Sequence, residues 1–365
     1  MGLLEDRRRE LHDRHAIAFR ITGIATRRLG WIADPAGIDP SPGGAGAPAR
    51  ELPGALSTSV DPFNREGHDS SRAEIGLRSN EPSASVRPRQ AAEPTAPIPY
   101  DQTKAWLAAA RADVLFEATS LNVETGQPAV DHIRAALDHG AHAITANKGP
   151  IVYAYRELRE LALKRGKRFL FESTVMDGVP IFSLFDQLPT SHLQSFHGIL
   201  NSTTNVILGE MENGLTLDEA LRKAQSLGVA ETDASHDIDG WDAAVKTAAL
   251  INVLMGVPFR LDQIARGGIR DLTPQAVRNA RRDGWPFKLV CRARRNSNGE
   301  TEASVAPEKV RINEPMARIT GTSSYIYFET DIFPGLAITE ENPGLYATAY
   351  GMLADFVRAT THHAL

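Results

Sequence analysis

The residues best suited to chemistry in this sequence lie in one short segment, AETDASHDIDGWDAAVK, from Ala230 to Lys246. The segment holds five acidic residues and one lysine, and the largely apolar run TAALINVLMGVPF follows that lysine directly. Asp242 lies one helical turn before Lys246, so a helix would put both side chains on one face, within reach of a salt bridge. The spacing therefore predicts an acid–lysine pair near the start of a helix.

Lys246 is predicted to be at least partly buried. Its neighbours at helical spacing are apolar, and a helix face exposed to water would not be apolar throughout. A buried ammonium group needs a partner, which Asp242 can supply. A desolvated lysine held by a carboxylate is well suited to donate or accept a proton, and the acids before it would suit a substrate ammonium group. The apolar neighbours are Ala243, Ala249, Leu250 and Val253.

A purely structural alternative stays open for the acidic residues. Asp239 would cap the helix and the other carboxylates would face water, since structural ion pairs often resemble functional ones. That alternative accounts for the acids, but it leaves a lysine in the apolar part of the helix without an explanation.

The composition is that of an ordinary globular protein. The chain has 365 residues, of which 42% are hydrophobic and 23% are charged, which is enough for two domains with their own cores. A net charge of −5 gives no indication of a nucleic-acid partner. Cys291 is the single cysteine, so an intrachain disulfide is excluded and a reducing compartment is favoured. Because no apolar run is long enough to cross a membrane, we expect a soluble, cytoplasmic protein without a membrane partner.

Helices and strands alternate along residues 103–174. The strands VLFE, HAIT and RFLFE are separated by the helical segments PAVDHIRAALDHG and VYAYRELRELALKRG. This alternation predicts an α/β fold with a doubly wound, Rossmann-type parallel sheet. Ligands of such sheets bind at the carboxyl ends of the strands, which is where the polar motifs EATSLN and TANKGP lie.

The rest of the chain predicts a low-complexity segment and a second, α+β domain. Residues 34–99 are rich in Pro, Gly, Ser and Ala and poor in apolar residues, so we expect most of them to form a mobile insertion. An amphipathic helix is predicted between Thr216 and Gly228. Three segments alternate like strands of an antiparallel sheet, and GLYATAYGMLADFVRATT predicts a final helix. These three are PFKLVCRARR, EASVAPEKVRI and SSYIYFETDIF.

The segment AQSLGVAETDASHDIDGWDAAVK closely resembles the signature of homoserine dehydrogenases. Ala234 departs from the proline that is usual there, which removes no chemistry. GILNSTTNVIL, ITANKGP and ESTVMDGVPI also resemble family segments, with Ser202 in place of a glycine, and the resemblance covers about residues 112–360. The matching signature positions are Ala224, Gly228, Ala230, Asp233, Asp237, Gly240, Asp242 and Lys246.

The resemblance implies the NAD(P)-dependent interconversion of L-homoserine and L-aspartate 4-semialdehyde, in the synthesis of threonine, methionine and isoleucine. It implies that Lys246 is the acid/base group and that Asp242 orients it. Glu231 would hold the substrate amino group, and Asp237 would make a second substrate contact. Lys148 would lie near both nicotinamide and substrate; the alternative for it is a surface lysine on a loop.

Several residues are expected at the cofactor. Thr119 and Ser120 resemble residues that approach it, although ordinary turn chemistry explains them equally well. Gly344 would allow a close approach, even though the usual glycine-rich segment is altered to ENPGLY. Arg27 and Arg28 follow a predicted strand and suit the 2′-phosphate of NADP better than the ribose hydroxyls of NAD. Their alternative role, as solvent-facing arginines, leaves NAD open.

The resemblance also implies a monovalent cation, usually sodium, with a structural role. One carboxylate and several backbone carbonyl groups would hold it. Asp177 stands where glycine is common, and its carboxylate could alter such a site. The implied ligands are Glu172, Val175, Asp177 and Val179.

The expected organisation has three parts: a nucleotide-binding domain (1–165), a substrate-binding and dimerisation domain (166–335), and a C-terminal helix (336–365) that returns to the first domain. LLEDRRRELHDRHAIAFRITGIATRRLGW resembles the family's first helix and second strand. Nothing before it supplies the first strand or a Gly-x-Gly-x-x-Gly turn, so the sheet is expected to lack that strand. We expect a short, monofunctional homodimer whose natural start lies further upstream. The alternative is a truncated, non-catalytic homologue that retains substrate binding and dimerisation.

Overall fold

The computed structural model describes residues 1–26, 30–39 and 100–361. Arg27, Arg28 and most of the low-complexity segment lie outside these residues, so the expectations for them are untested. Among the described residues, none of the helices combines the length and the apolar character that a membrane span requires.

Helices and strands alternate in the first half, and strands dominate the second. The α-helices are α1 (Gly2–Asp6), α2 (Arg8–His15), α3 (Tyr100–Ala110), α4 (Ala129–His139), α5 (Gly149–Lys164), α6 (Ile181–Asp186), α7 (Ser202–Glu212), α8 (Leu217–Ser226), α9 (Ser235–Ile238), α10 (Trp241–Leu250), α11 (Pro274–Arg282) and α12 (Leu345–Thr360). The strands are β1 (Gly23–Thr26), β2 (Gly30–Ala33), β3 (Val114–Glu117), β4 (His142–Thr145), β5 (Phe169–Leu170), β6 (Leu193–Ile199), β7 (Ala265–Arg266), β8 (Phe287–Arg295), β9 (Thr301–Lys309), β10 (Ser324–Thr330) and β11 (Leu336–Glu340).

The predicted parallel sheet is confirmed. β3, β4 and β5 lie side by side in that order and pair in parallel. α4 and α5 connect them, because parallel neighbours need a crossover that an antiparallel hairpin does not. Leu115, Ile133 and Leu158 from a strand and both crossover helices are buried in one core, and Gly140 ends α4 in the left-handed conformation.

The segment that resembles the family's second strand does not join this sheet, so that part of the prediction is wrong. β1 pairs antiparallel with β2 in a separate two-stranded sheet. Only three residues separate the two strands, which allows a hairpin but is too short for a parallel crossover. The Trp106 indole nitrogen of α3 donates to the Ile32 carbonyl oxygen at 3.0 Å and holds this hairpin against the helix.

The second half is built on a six-stranded sheet in the order β11-β10-β6-β8-β9-β7. Its pairs are antiparallel except for β7 with β9. The three predicted strands are confirmed as β8, β9 and β10, whereas β6 was not predicted. Phe196 and Phe328 are 1% and 0% exposed in the main core, and burying each such side chain contributes about 1.5–3 kcal/mol.

α12, the predicted final helix, packs back toward the parallel sheet. Its Leu353 and Phe356 are buried in a cluster with Ile144 of β4. The helix also lies very close to the loop after β5: a Cβ added to Gly351 would come within 2.4 Å of the Ser173 hydroxyl oxygen. Glycine at position 351 therefore lets α12 approach the loop that carries Asp177.

Candidate active site

α10, which carries Asp242 and Lys246, packs on β8 and β9 of the six-stranded sheet and on α5, a crossover helix of the parallel sheet. Gly240 begins the helix in the left-handed conformation (φ 79°), which favours glycine, and makes no side-chain cap. The alternative in which Asp239 caps the helix is thus wrong, because Asp239 pairs with Arg270 at 2.8 Å instead. Ala244 and Ala248 are fully buried, so small side chains let α10 lie close to the six-stranded sheet.

Lys246 and Asp242 form the predicted pair. The Lys246 Nζ lies 3.2 Å from Asp242 Oδ2, and the two side chains are only 16% and 19% exposed. The same Nζ donates a hydrogen bond to the Leu200 carbonyl oxygen at 2.6 Å. Leu200 follows β6 directly, so the end of that strand fixes the position of the ammonium group.

Lys148 brings the parallel sheet to the same carboxylate. Its Nζ lies 3.2 Å from the other oxygen of Asp242, Oδ1. Lys148 is the N-cap of α5 and follows β4, so it stands at the carboxyl end of a parallel strand, as predicted. Its surface alternative is wrong, because the side chain is only 20% exposed.

Asn201, for which the sequence predicted no role, completes the cluster. Its Nδ2 donates to Asp237 Oδ1 at 2.6 Å and to Asp242 Oδ2 at 3.0 Å. Its Oδ1 accepts from the Thr204 backbone nitrogen at 2.8 Å and caps α7. One amide thus ties a helix start to two carboxylates. The signal was present in GILNSTTN, since Asn is a favoured N-cap residue.

The electrostatics of the cluster favour charged forms for Asp242 and Lys246. Burial alone would raise the pKa of Asp242, but Lys148 and Lys246 outweigh it and hold that pKa well below its usual range. Burial would lower the pKa of Lys246, but Asp242 and then Asp177 raise it above its ordinary value. Burial and the charge of Asp242 raise the pKa of Asp237. At neutral pH Lys246 is an ammonium group facing a carboxylate.

Glu231 is not brought into this cluster. The residue is exposed, and no described side chain pairs with its carboxylate. Only its backbone oxygen is engaged, by the Gln225 side-chain nitrogen at 3.0 Å. The predicted amino-group ligand therefore lies outside the contacts that Lys246, Asp242 and Asp237 make.

The loops after β3 and β4 are tied together where a cofactor is expected. The buried carboxylate of Glu117 accepts hydrogen bonds from the Thr119 backbone nitrogen at 2.9 Å and from the Thr119 hydroxyl. Asn147 Nδ2 donates to the Thr119 carbonyl oxygen at 2.9 Å and lies 3.3 Å from that of Ser120. The Thr119 hydroxyl thus points inward, whereas the Ser120 hydroxyl has no hydrogen-bond partner within residues 1–26, 30–39 and 100–361. Glu117 and Asn147 were not singled out in the sequence.

Gly344 lies apart from these loops, as the N-cap of α12. Its backbone is extended, with φ −123° and ψ 179°, a conformation that does not require glycine.

Two family models match the sequence. The model described as homoserine dehydrogenase matches residues 180–357, and the model described as homoserine dehydrogenase, NAD binding domain, matches residues 70–172. The NAD(+)-dependent homoserine dehydrogenase of Pseudomonas canavaninivorans is 36% identical over 247 residues, which cover 67% of this chain and 70% of that protein. The homoserine dehydrogenase of Methanocaldococcus jannaschii is 37% identical over 248 residues, or 67% of this chain and 72% of that protein. The chain belongs to the homoserine dehydrogenase family.

Solved structures of homoserine dehydrogenases share the fold. A hyperthermophilic archaeal enzyme in complex with NADPH matches with a TM-score of 0.61 at 29% identity, over 71% of this chain and 74% of that one. The enzyme from Thiobacillus denitrificans matches with a TM-score of 0.62 at 30% identity, over 69% of this chain and 59% of that one. This homoserine dehydrogenase family member is an NAD(P)-dependent oxidoreductase that interconverts L-homoserine and L-aspartate 4-semialdehyde. The comparisons lend no support to the non-catalytic alternative.

The cation that the homoserine dehydrogenase resemblance implies does not fit the side chain of Glu172. Its carboxylate accepts hydrogen bonds from the backbone nitrogens of Phe182 at 2.7 Å and Ser183 at 2.9 Å, and from Arg358 Nη1 at 3.3 Å. The Arg358 guanidinium, which also contacts Asp355 and Asp186, therefore already engages this carboxylate. In the part of the chain that the structure describes, no three His, Cys, Asp or Glu residues are grouped to hold a metal ion.

Proposed function

We propose that Lys246 transfers the proton in the interconversion of L-homoserine and L-aspartate 4-semialdehyde. The supporting observation is the placement of its Nζ, fixed by the Leu200 carbonyl oxygen at 2.6 Å and by Asp242 at 3.2 Å. Thr119 and Ser120 would hold NAD(P), which would supply the hydride acceptor for oxidation of the carbinol carbon and the hydride donor for the reverse reaction. In oxidation, the hydroxyl proton passes to the neutral Lys246 amine as the C–O double bond forms. In reduction, the Lys246 ammonium gives a proton to the aldehyde oxygen.

The neighbours of Lys246 hold it and its substrate in place. Asp242 orients the ammonium group, and Asn201 keeps the Asp242 carboxylate from rotating. Lys148 shares that carboxylate and comes from the carboxyl end of β4, so we place it between substrate and nicotinamide. Asp237, which Asn201 also holds, is proposed as a substrate contact, and Glu231 remains one only as the resemblance implies.

The proposed cofactor contacts lie at the ends of the parallel strands. Thr119 and Ser120 follow β3, and the Ser120 hydroxyl and the backbone there can donate to a nucleotide. Gly344 is proposed only from the resemblance. We propose NADP over NAD because Arg27 and Arg28 suit a 2′-phosphate. Comparing kcat/KM for NADPH and NADH in the wild type and in an Arg27→Ala, Arg28→Ala variant tests this preference.

A structural sodium ion stays a prediction. The carbonyl groups of Val175, Asp177 and Val179 would hold it, without a free Glu172 carboxylate. Activity and Tm measured in sodium chloride and in choline chloride of equal ionic strength test it. Values that agree in both salts would argue against the ion.

We propose a homodimer in the cytoplasm. One face of the six-stranded sheet packs on the main core. On the other face, part of the sheet is covered by residues 310–319, and the partly exposed His197 and Tyr327 are proposed as the contact with a second copy. The single cysteine, Cys291, forms no intrachain disulfide, which suits a reducing compartment. Burial raises the pKa of its thiol to about 11 and keeps it unreactive.

NADPH oxidation with L-aspartate 4-semialdehyde tests the proton-transfer role. Lys246→Ala should lower kcat by about 10²–10⁴-fold, the usual contribution of a positioned acid or base. Lys309→Ala, which removes an exposed lysine from β9, is the control and should keep wild-type kcat. Undiminished activity in Lys246→Ala would overturn the proposal.

A further inference from the structure

Glu117 is a buried carboxylate that has no part in the proposed proton transfer. It ends β3 and is only 3% exposed. In the register of the parallel sheet it stands beside Thr145, the last residue of β4. A carboxylate buried without partners would be costly. Because doubly wound sheets bind ligands at the carboxyl ends of their strands, the partners that offset this cost lie at the ligand-binding edge.

The Glu117 carboxylate joins the ends of two parallel strands. Its Oε1 accepts hydrogen bonds from the Thr119 backbone nitrogen at 2.9 Å and from the Thr119 hydroxyl. Its Oε2 accepts from the Thr145 hydroxyl at 2.7 Å. Both donors of Thr119 are thus engaged by Glu117, which fixes the direction in which the chain leaves β3.

Asn147 extends this connection to the loop after β4. Its backbone nitrogen donates to the Thr145 hydroxyl oxygen at 2.9 Å. Its Oδ1 accepts from the Gly149 backbone nitrogen at 2.8 Å, and its Nδ2 returns to the Thr119 carbonyl oxygen at 2.9 Å. Lys148 lies between Asn147 and Gly149, so the same hydrogen bonds hold the backbone of the lysine that we place between substrate and nicotinamide.

His132 of α4 approaches the carboxylate from the side of the core. Its Nδ1 lies 3.7 Å from Glu117 Oε1, and its side chain is 11% exposed. Burial would raise the pKa of Glu117, but contacts with His132, Thr119 and Thr145 outweigh burial and lower that pKa below its usual value. At neutral pH Glu117 is therefore an anion, which only accepts hydrogen bonds. Both threonine hydroxyls must then turn their protons toward it.

We infer that Glu117 is a positioning residue that sets the loops after β3 and β4 for the nicotinamide cofactor. It acts through Thr119 and Asn147 rather than by contact with substrate or cofactor. The inference rests on the proposed cofactor contacts at Thr119 and Ser120. A glutamine at position 117 would keep the size of the side chain but bring an amide donor against the donors that the carboxylate now accepts. Thr119 would turn, and Ser120 would turn with it.

Calorimetric titration of the full chain with NADP or NAD, whichever binds more tightly, tests the inference without turnover. Glu117→Gln should weaken cofactor binding about ten-fold, as expected when a hydrogen bond to a charged group is lost. Thr145→Val, which breaks the connection to β4 and keeps the carboxylate, should change binding in the same direction. It replaces the glutamine variant if that variant does not fold. Glu124→Gln, at an exposed acid in the same β3–α4 connection, should match the wild type.

Hydrogen exchange of the chain without cofactor shows whether the loops move. In Glu117→Gln the amides of Thr119, Asn147 and Gly149 should exchange faster than in the wild type. The Ala143 amide, which donates to the Arg168 carbonyl oxygen inside the sheet, should exchange at the wild-type rate. Wild-type exchange at all of these amides, or wild-type cofactor binding, would overturn the inference.

Kinetics separate positioning from a general loss of structure. Glu117→Gln should raise KM for the cofactor and leave KM for L-homoserine unchanged, because Asn201 holds the carboxylates of Asp237 and Asp242. A variant that raises both KM values together would overturn the inference. Lys246→Ala should instead lower kcat and leave the cofactor titration unchanged. Full activity in Lys246→Ala, with weakened cofactor binding in Glu117→Gln, would count against the proton-transfer role and still support the role of Glu117.

Discussion

At the scale of single residues, the candidate active site is built around Asp242, which two lysines and one amide hold. Lys148 and Lys246 each contact a different oxygen of this carboxylate, at 3.2 Å. Asn201 adds a hydrogen bond at 3.0 Å. Because the carboxylate is fixed at both oxygens, the lysine that it orients is also fixed, which is the preorganisation that proton transfer requires.

Replacing Asn201 tests that arrangement. Asn201→Ala should lower kcat, because Asp242 and Asp237 both lose a donor, and should cost about 1–2 kcal/mol of stability through the lost cap of α7. Thr216→Ala is the matched control, since it removes the cap of α8 far from Lys246. It should lose similar stability, measured by urea denaturation, and keep wild-type kcat. Equal kcat in the two variants would show that Asn201 acts only as a cap.

The pH dependence of reduction tests the coupling between Asp242 and Lys246. In the proposed mechanism, reduction uses the Lys246 ammonium, which is present below its pKa, and Asp242 raises that pKa. The wild-type rate should therefore hold through mildly alkaline pH and fall only when pH passes the raised pKa. Asp242→Asn removes the main influence that raises this pKa, so the alkaline fall should begin at lower pH. Oxidation, which needs the neutral amine, should instead rise with pH toward the same pKa.

The control for the pH profile is Asp233→Asn, in the same acidic segment but exposed. It should leave the alkaline fall of the reduction rate where the wild type has it. The profiles are measured as kcat for NADPH oxidation against pH. Identical profiles for Asp242→Asn and the wild type would mean that a group other than Lys246 causes the alkaline fall.

At the scale of elements, the approach of α12 to the loop after β5 holds Asp177 in place. A Cβ on Gly351 would lie 2.4 Å from the Ser173 hydroxyl oxygen and 2.9 Å from the Gly178 Cα. Backbone cannot yield as a flexible side chain does, so Gly351→Ala should force the helix outward. We expect a loss of about 1–3 kcal/mol and a higher KM for homoserine.

Gly209→Ala, a glycine-to-alanine change inside a different helix, is the matched control for Gly351→Ala. Gly209 lies inside α7, and an added Cβ would meet no atom within 4 Å. Alanine there should stabilise by about 0.5–1 kcal/mol. Thermal unfolding of both variants checks the pair. A Gly351→Ala protein as stable as the wild type would show that α12 does not fix this loop.

At the scale of the whole molecule, sequence patterns predicted what is local and missed what the packing brings together. The Asp242–Lys246 pair and the capped helix after Thr216 follow from residues within a few positions of each other. The contacts of Asn201 with Asp237 and Asp242 span 36 and 41 residues and depend on how a strand end meets α10. The strand predicted in FRITGIAT was expected in the parallel sheet and pairs with β2 instead for the same reason, since local propensity does not choose a strand's partner.

The outer face of the six-stranded sheet carries the last expectation, a homodimer. His197 and Tyr327 stack there with ring centroids 5.0 Å apart, and both remain partly exposed on a face whose apolar cluster includes Ile199 and Val290. Aromatic side chains at such positions are typical of protein interfaces. Tyr327→Lys would place a positive charge within the proposed dimer interface. Because the two copies are related by symmetry, the interface would hold two such charges.

Light scattering after size exclusion should show a dimer for the wild type and a monomer for Tyr327→Lys at micromolar concentration. Leu163→Lys, at a 70% exposed position on α5, is the control and should stay dimeric. A dimer that survives Tyr327→Lys with unchanged stability on dilution would place the interface on another surface. The candidate active site lies on the opposite, helix-covered face of the sheet. A monomeric Tyr327→Lys enzyme should therefore keep its KM for homoserine, because the dimer contact and the substrate site are on different faces.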